Sequence, residues 1–399
     1  MERTKKKPVA LIVHKLTSGG AQKILADLSR LLESYYEIHF IVFDANSQTY
    51  KTGGELHDLA LKESNSLTHR IISFVKRVHA VQKIKTEHRI QCSISFLDGP
   101  NLVNLLSKKS DKVIVSVRSF LSLTPMSTFR RIYTKFVCNF SDTTVAISEL
   151  VGKDLIDSFG IKDNKVNVIY NPCDVESVIA ASKEKDNLPF TKDPDGFYFV
   201  TVGRFTEAKG HWHLLRAFKC MVEKHNNCHL VFVGKGELEK ETKELSHKLN
   251  LDNNVIYAGY RNNPHSIVDI CDVFVFSSIF EGFGNVLVDA LALSKPVIST
   301  DCLAGPRDIL APQTNNRKQT ESIDFCEYGI LVKPGDKTNL GTQMPLTVDE
   351  HYLLLAMEEL YCNAALREKY RKKALERAMC FSPEYATKEW IELIEKQTN

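Results

Sequence analysis

The sequence predicts an α/β protein built from two Rossmann-like, doubly wound lobes facing across a cleft. Three observations predict this: a length that fits two domains, short apolar runs alternating with amphipathic helical stretches, and a polar break after which the alternation restarts. The 399 residues are enough for two or three domains. With 43% hydrophobic and 25% charged residues, the chain has the balance of a folded globular protein, which excludes general disorder.

In the first half, residues 9–13 read as a buried strand. Residues 21–36 come next as a helix, with Ile24, Leu25, Leu28, Leu31, Leu32 and Tyr35 at helical spacing. Further strands are expected at 38–43, 93–97, 113–117, 144–147 and 166–169. Near-continuous apolar runs of this kind suit a parallel sheet covered on both faces. Asn171-Pro172 and the polar segment 182–195 then carry turn residues and charges with little to bury. After them come strands at 198–202, 230–233, 255–258, 273–276, 297–299 and 330–332, separated by helices over 214–224, 237–249, 267–271 and 284–293. Residues 312–327 and 334–348 read as surface loops, and the tail from Asp349 as helical to about Cys380. Ser382-Pro383-Glu384 then opens a last helix. The expected domains are 1–185, 186–380 and a C-terminal helix, 381–399, packing back on the first domain.

Composition narrows the classes further. No run approaches the ~18 apolar residues of a membrane span. The basic start is followed by an apolar stretch that His14 and Lys15 break, too short for a secretory signal, so a cytoplasmic protein is expected. Ten cysteines without a Cys-x-x-Cys pair suit a reducing compartment. Cys220, His225, Cys228 and His229 lack paired metal-ligand spacing, and Asp193-Pro194-Asp195 is ordinary turn chemistry, so no metal site is expected. The net charge is +3, but residues 1–190 hold 27 Lys+Arg against 20 Asp+Glu, leaving the rest at 25 against 29. The basic half suits solvated surface, an anionic membrane face or a diphosphate-bearing acceptor. Beyond this mild charge nothing points to nucleic acid.

Three segments carry chemistry. Gly19-Gly20 lies between the first strand and helix, where backbone N–H groups can approach an anion. Gly203-Arg204 and Lys209-Gly210 bring a guanidinium and an ammonium onto one strand-end loop, a pair able to neutralise a diphosphate. The third, Glu281-Gly282-Phe283-Gly284 through Asp289, sets two acids eight residues apart. On one continuous helix they would share a side, about 12 Å apart along the axis. Carboxylates there would accept hydrogen bonds from sugar and ribose hydroxyls.

Together with Gly234-Lys235-Gly236-Glu237, Gly305-Pro306-Arg307-Asp308 and Ile94-Ser95-Phe96-Leu97-Asp98, these segments resemble family 4 of the retaining glycosyltransferases, which have the GT-B fold. They look most like bacterial transferases of lipid-linked oligosaccharide, O-antigen or capsule assembly. The resemblance implies that Arg204 and Lys209 hold the donor diphosphate as catalytic groups, that Glu281 contacts the donor sugar and that Asp289 contacts the ribose. It also implies donor contacts from Gly19, Gly20, Gly203, Gly236, Tyr260, Phe283, Gly284 and Asn285. Asp289 stands where the family carries Glu, and Arg118 stands where many relatives carry a His. Arg118 cannot serve as a base near neutral pH and suits phosphate binding; His14 joins it as an acceptor-side candidate.

The resemblance and these residues lead to the expectation of a retaining, metal-independent hexosyltransferase. It would use a nucleotide-sugar donor, UDP-linked or else GDP-linked, and a lipid-linked glycan or lipopolysaccharide acceptor. It would act as a peripheral protein on the cytoplasmic face of an inner membrane, docked reversibly through Arg70, Lys76, Arg77, Lys83, Lys85, Lys108, Lys109, Lys112, Arg130, Arg131 and Lys135. A nucleotide-sugar epimerase or a non-catalytic oligosaccharide-binding protein of the same fold are the alternatives.

Overall fold

The computed structural model describes residues 6–16, 20–45, 50–61, 66–122, 127–184, 188–314 and 318–399. In chain order the first elements are β1 (Pro8–Lys15), α1 (Gly20–Leu32), β2 (Glu37–Asp44), β3 (Glu55–Asp58), α2 (Leu67–Glu87), β4 (Cys92–Phe96) and α3 (Asp98–Leu106). β5 (Lys112–Val117), α4 (Thr128–Phe140), β6 (Thr143–Ala146), α5 (Glu149–Asp157) and β7 (Val166–Val168) are next. Then come α6 (Val175–Ser182), β8 (Phe197–Val202), α7 (His211–Lys224), β9 (Cys228–Val233), α8 (Glu239–Lys248), β10 (Val255–Gly259) and α9 (His265–Ile270). The chain continues through β11 (Val273–Phe276), α10 (Asn285–Ala292), β12 (Val297–Thr300), α11 (Pro306–Leu310), β13 (Ile323–Phe325) and β14 (Ile330–Val332). It closes with α12 (Val348–Cys362), α13 (Ala364–Met379) and α14 (Pro383–Thr398).

These elements form two compact units, residues 1–172 with 383–399, and residues 173–382. The first holds a seven-stranded sheet in the order β3-β2-β1-β4-β5-β6-β7, every pair parallel. Its central strands are buried along nearly their whole length, which is why they read as continuous apolar runs. Val9, Leu11 and Val13 pack with α1 and with Trp390 of α14 on one face, while Ala10 and Ile12 pack with Val81 of α2 and Val103 of α3 on the other. Lys7 Nζ bonds Glu395 at 2.5 Å, and the Trp390 ring lies 6.2 Å from that of Phe96.

The second unit repeats the plan with the order β10-β9-β8-β11-β12-β14-β13, in which β13 runs antiparallel to β14. Helix α12 packs on α7. There a fully buried pair, Arg216 Nε to Glu350 Oε1 at 2.7 Å, is completed by His213 Nδ1 at 2.9 Å from the same oxygen. Burial alone would raise the Glu350 carboxyl, but hydrogen bonds from His213 and Arg216 bring it down to about 2. A capping box between Thr347 and Glu350 fixes the start of α12.

The structure differs from the sequence expectation in several places. Residues 312–327 are not loop throughout, because β13 lies within them. The helical tail breaks at Asn363, whose side chain caps Leu366 N at 2.9 Å and starts α13. Edge strand β3, with little apolar content, and helices α2 to α6 and α11 appear where no element was specified. Finally, Lys85 is not on a basic surface: its ammonium is buried against Asp111 at 2.8 Å and Asn104 Oδ1 at 2.7 Å. Lys108, partly covered, pairs with Asp142 at 2.7 Å.

Candidate active site

The second unit carries Arg204, Lys209, Glu237 and Glu281 past the C-terminal ends of β8, β9 and β11, the edge where such sheets bind ligands. The loop leaving β8 touches the loop leaving β9 backbone to backbone. An added Cβ at Gly236 would sit 2.4 Å from the Phe205 carbonyl oxygen, so glycine is required there. Leu238 N donates to Phe205 O at 2.9 Å across the same seam. A 3-10 turn over Glu207–Lys209 then reverses at Gly210, where φ is +56° and a Cβ would lie 2.6 Å from Ser277 O. This joins the loop to the one after β11: Ile279 N donates to Ala208 O at 2.8 Å, and Ser277 Oγ donates to Lys209 O at 2.9 Å.

Through this seam Lys209 and Glu281 meet across 72 positions of sequence. The Lys209 ammonium donates to Glu281 Oε1, and Ser278 Oγ donates to the same oxygen at 3.0 Å. The two side chains are 20% and 17% exposed, and the ammonium lies 4.8 Å from the centre of the Phe276 ring. Arg204 is placed differently. It is 79% exposed at the rim, with Nη2 3.7 Å from Glu237 Oε2 on the loop after β9. The site therefore offers one cation already paired to a carboxylate and a second reaching into solvent.

Glu281 and Asp289 do not share one helix face. Gly284, at φ +94°, precedes α10, so Glu281 stays on the loop while Asp289 lies within the helix. There Asp289 accepts from Cys173 Sγ at 3.6 Å and lies 3.8 Å from His265 Nε2. Phe283 is buried, its ring 5.5 Å from that of Phe381, and so anchors the loop. Tyr260, 61% exposed, projects from the end of β10, and Asn285 opens α10, where Leu287 N donates to Gly284 O at 2.9 Å. Gly203 faces the stem of Lys209, whose Cε would lie 3.2 Å from an added Cβ.

Two neighbours carry no signal in the sequence. His211 is buried between Phe205 and Phe232, and burial lowers it to about 3, so it is neutral. The Cys302 thiol is pushed well up by burial and is inert as a nucleophile. Nothing in local spacing marks either residue; their place depends on strands distant in sequence.

In the first unit Gly20 opens α1 and is exposed, whereas Gly19 lies outside the described residues. His14, near the end of β1, lies 5.6 Å ring to ring from Phe43. Arg118 lies just past β5, 4.3 Å over the Phe96 ring, and donates to Asn171 Oδ1. Burial lowers its guanidinium to about 9, leaving it charged at neutral pH. Cys220, His225, Cys228 and His229 form no ligand group among the described residues. His229 instead stacks on Tyr198, with ring centres 4.6 Å apart. Asp193 and Asp195 form the expected turn, in which Gly196 N donates to Asp193 O at 3.1 Å.

Comparison with known proteins gives this architecture its class. The model for Glycosyltransferase Family 4 matches residues 18–177, and that for Glycosyl transferases group 1 matches residues 182–341. An uncharacterized glycosyltransferase of Methanocaldococcus jannaschii is 33% identical over 346 residues, covering 80% of this chain and 83% of that protein. A Campylobacter jejuni N-acetylgalactosamine-N,N'-diacetylbacillosaminyl-diphospho-undecaprenol 4-alpha-N-acetylgalactosaminyltransferase is 26% identical over 384 residues, covering 94% and 95% of the two chains. In structure, Anabaena HepE, solved in complex with UDP, superposes with a TM-score of 0.74 at 17% identity over 98% of this chain and all of that one (100%). The two sheets and these matches define a glycosyltransferase of the GT-B fold. More particularly, the chain belongs to glycosyltransferase family 4.

Proposed function

We propose that this glycosyltransferase is a retaining, metal-independent enzyme that moves a hexose or N-acetylhexosamine from a UDP-sugar to a lipid-linked glycan. The observation that carries the reading is the Lys209–Glu281 pair on loops stitched together at Gly210, with Arg204 at their rim. Cleavage of the anomeric C–O bond leaves negative charge on the departing diphosphate. Lys209 and Arg204 neutralise that charge as it develops, the Lys as a compact charge and the Arg as a planar donor. Glu281, a hydrogen-bond acceptor when ionised, orients the sugar hydroxyls. The donor phosphates then compete with Glu281 for Lys209, which frees the carboxylate for the sugar.

Support for a UDP donor comes from the UDP complex of HepE, and support for a lipid-linked acceptor from the Campylobacter relative's name. The first unit adds a surface suited to reversible membrane contact. On α4, Phe129, Ile132, Phe136 and Phe140 form an exposed stripe at helical spacing beside Arg130, Arg131 and Lys135. On α2, Ile71, Ile72 and Val75 are exposed near Arg70 and Lys76, and α3 packs between the two helices. Among the described residues no helix is long and apolar enough to cross a membrane.

The test is incubation of the protein with UDP-sugars and undecaprenyl-diphosphate glycans in excess EDTA, with NMR assignment of the product anomer. A product that keeps the donor's configuration supports the reading. Loss of all turnover in EDTA by protein that circular dichroism shows to be folded, an inverted product, or sugar epimerised without any acceptor overturns it.

A further inference from the structure

Three histidines and a glutamate converge at the N-terminal end of the first sheet, away from the strand ends that carry His14 and Arg118. His39 is the third residue of β2, and the parallel register pairs it with Glu55, the first residue of β3. His57 lies two residues further along β3 and so shares a face with Glu55, while His88 is the C-cap of α2.

His39 Nδ1 lies 3.1 Å from His57 Nε2 and 3.5 Å from Glu55 Oε2; His57 Nε2 is 3.9 Å from Glu55 Oε2. One ligand atom from each of the four residues, His88 included, lies within 4.8 Å of all the others. Four ligands placed tetrahedrally at about 2.0–2.1 Å from a zinc ion have edges of about 3.3–3.4 Å. The three measured edges bracket that length. A His39–His57 hydrogen bond would engage only one proton and one lone pair. It does not explain why a third ring, centred 4.2 Å from that of His39, and a carboxylate crowd the same point.

The surroundings are those of a built site. His39 is 1% exposed, and its Nε2 has no hydrogen-bond partner among the described residues, with Glu37 Oε1 3.6 Å away. A carboxylate behind the second ring nitrogen is the usual companion of a metal-bound imidazole. Gly54 holds β3 in place: at φ +73° an added Cβ would lie 2.2 Å from Ile38 O, and its N–H donates to Glu33 Oε2 at 3.0 Å. A cavity of about 440 Å³ reaches His39, lined by Glu33, Glu37 and Glu55 against the single cation Lys6, so the approach is acidic on balance.

We propose that His39, Glu55, His57 and His88 bind one divalent ion of the zinc class. Three imidazoles and one carboxylate suit zinc and its borderline neighbours, whereas magnesium and calcium prefer sets made wholly of oxygen. The ion ties an exposed edge strand and the end of α2 to β2, a structural clamp that does not depend on the donor-site reading.

The experiment is titration of the full chain, stripped with a chelator and dialysed, with Zn²⁺ alone against a chromogenic competitor. The expected result is one tight equivalent in the wild type and at least a ten-fold loss of affinity in His57→Ala and in His88→Ala. Both side chains are partly exposed, so circular dichroism without zinc establishes that these variants are folded. Zinc should raise the wild-type melting temperature and leave that of His57→Ala unchanged, while Mg²⁺ and Ca²⁺ shift neither. Co²⁺ in place of zinc should give a visible spectrum of tetrahedral intensity that Glu55→Ala weakens. Absence of a zinc equivalent, or binding that survives in both folded histidine variants, overturns the proposal.

Discussion

The two sheets share a plan and differ at their strand ends. Each runs outward from its first strand in the same order until the last two strands, which are exchanged in the second sheet, and each unit contains a buried ionic staple, Lys85–Asp111 in the first and Arg216–Glu350 in the second. Among the described residues, the second brings a cation and an acid together from distant loops through glycine-permitted backbone contact at the ligand-binding edge, whereas the pair at the strand ends of the first, Arg130 and Asp98, has no such seam. The first ends in a charged Arg118 held over an aromatic ring and in exposed apolar helices. A shared fold therefore assigns no role; the side chains placed on its strand ends do.

The largest effects concern what the units have in common. Glu350→Ala and Asp111→Ala should each destabilise the protein by about 3–5 kcal/mol, since each strands a buried cation. Chemical denaturation measures this, and a near-neutral result for either variant would break the equivalence of the staples. Next is the asymmetry itself. Lys209→Met should lower kcat about 10²–10³-fold with the fold intact, as for loss of one preorganised donor to a developing anion. Arg118→Met should leave donor affinity unchanged and act on the acceptor KM; an equal loss of donor binding in both variants would erase the contrast.

Smaller still is the effect of Phe129→Ser combined with Phe140→Ser. Burying each phenyl ring in a lipid interface is worth up to about 1.5–3 kcal/mol. Binding to anionic vesicles should fall at least ten-fold while transfer to a short soluble acceptor is unchanged. Undiminished vesicle binding would rule the stripe out as a docking surface.

The last comparison is the pH dependence of stability around Glu350, which His213 and Arg216 both contact. Glu350 is lowered from 4.5 to about 2, so its contribution is complete above pH 4.5 and is lost as pH falls through 2. For His213, burial works against protonation, but bonds to Glu350 and the Asp336 carbonyl outweigh it and raise the group above 6.5. Its contribution is therefore complete below 6.5 and fades as pH rises through the raised value. Denaturation midpoints in Glu350→Gln should lose both slopes; if they persist, other groups carry them.

Legibility in the sequence depended on the kind of pattern each feature leaves. Central strands such as β1 and β8 are buried on both faces and announce themselves as apolar runs. β3 is four residues at an edge, mostly exposed, and leaves no such trace. The position of Arg204, Lys209 and Glu281 on strand-end loops was readable from the sequence. Their arrangement was not, because it rests on close backbone approaches at Gly210 and Gly236 made across long separations. The expected common face for Glu281 and Asp289 failed because Gly284 starts the helix after Glu281. Lys85 resembled its exposed neighbours in sequence, and only the fold brings Asp111 and Asn104 to it. His39, Glu55, His57 and His88 share no local motif at all.

The most direct measurement is isothermal titration of UDP into wild type and Lys209→Met, both in EDTA. Saturable binding by the wild type and an affinity at least ten-fold weaker in the variant are expected. Equal affinities, or no binding by the folded wild type, would contradict the claim that the strand-end loops of the second sheet hold the donor.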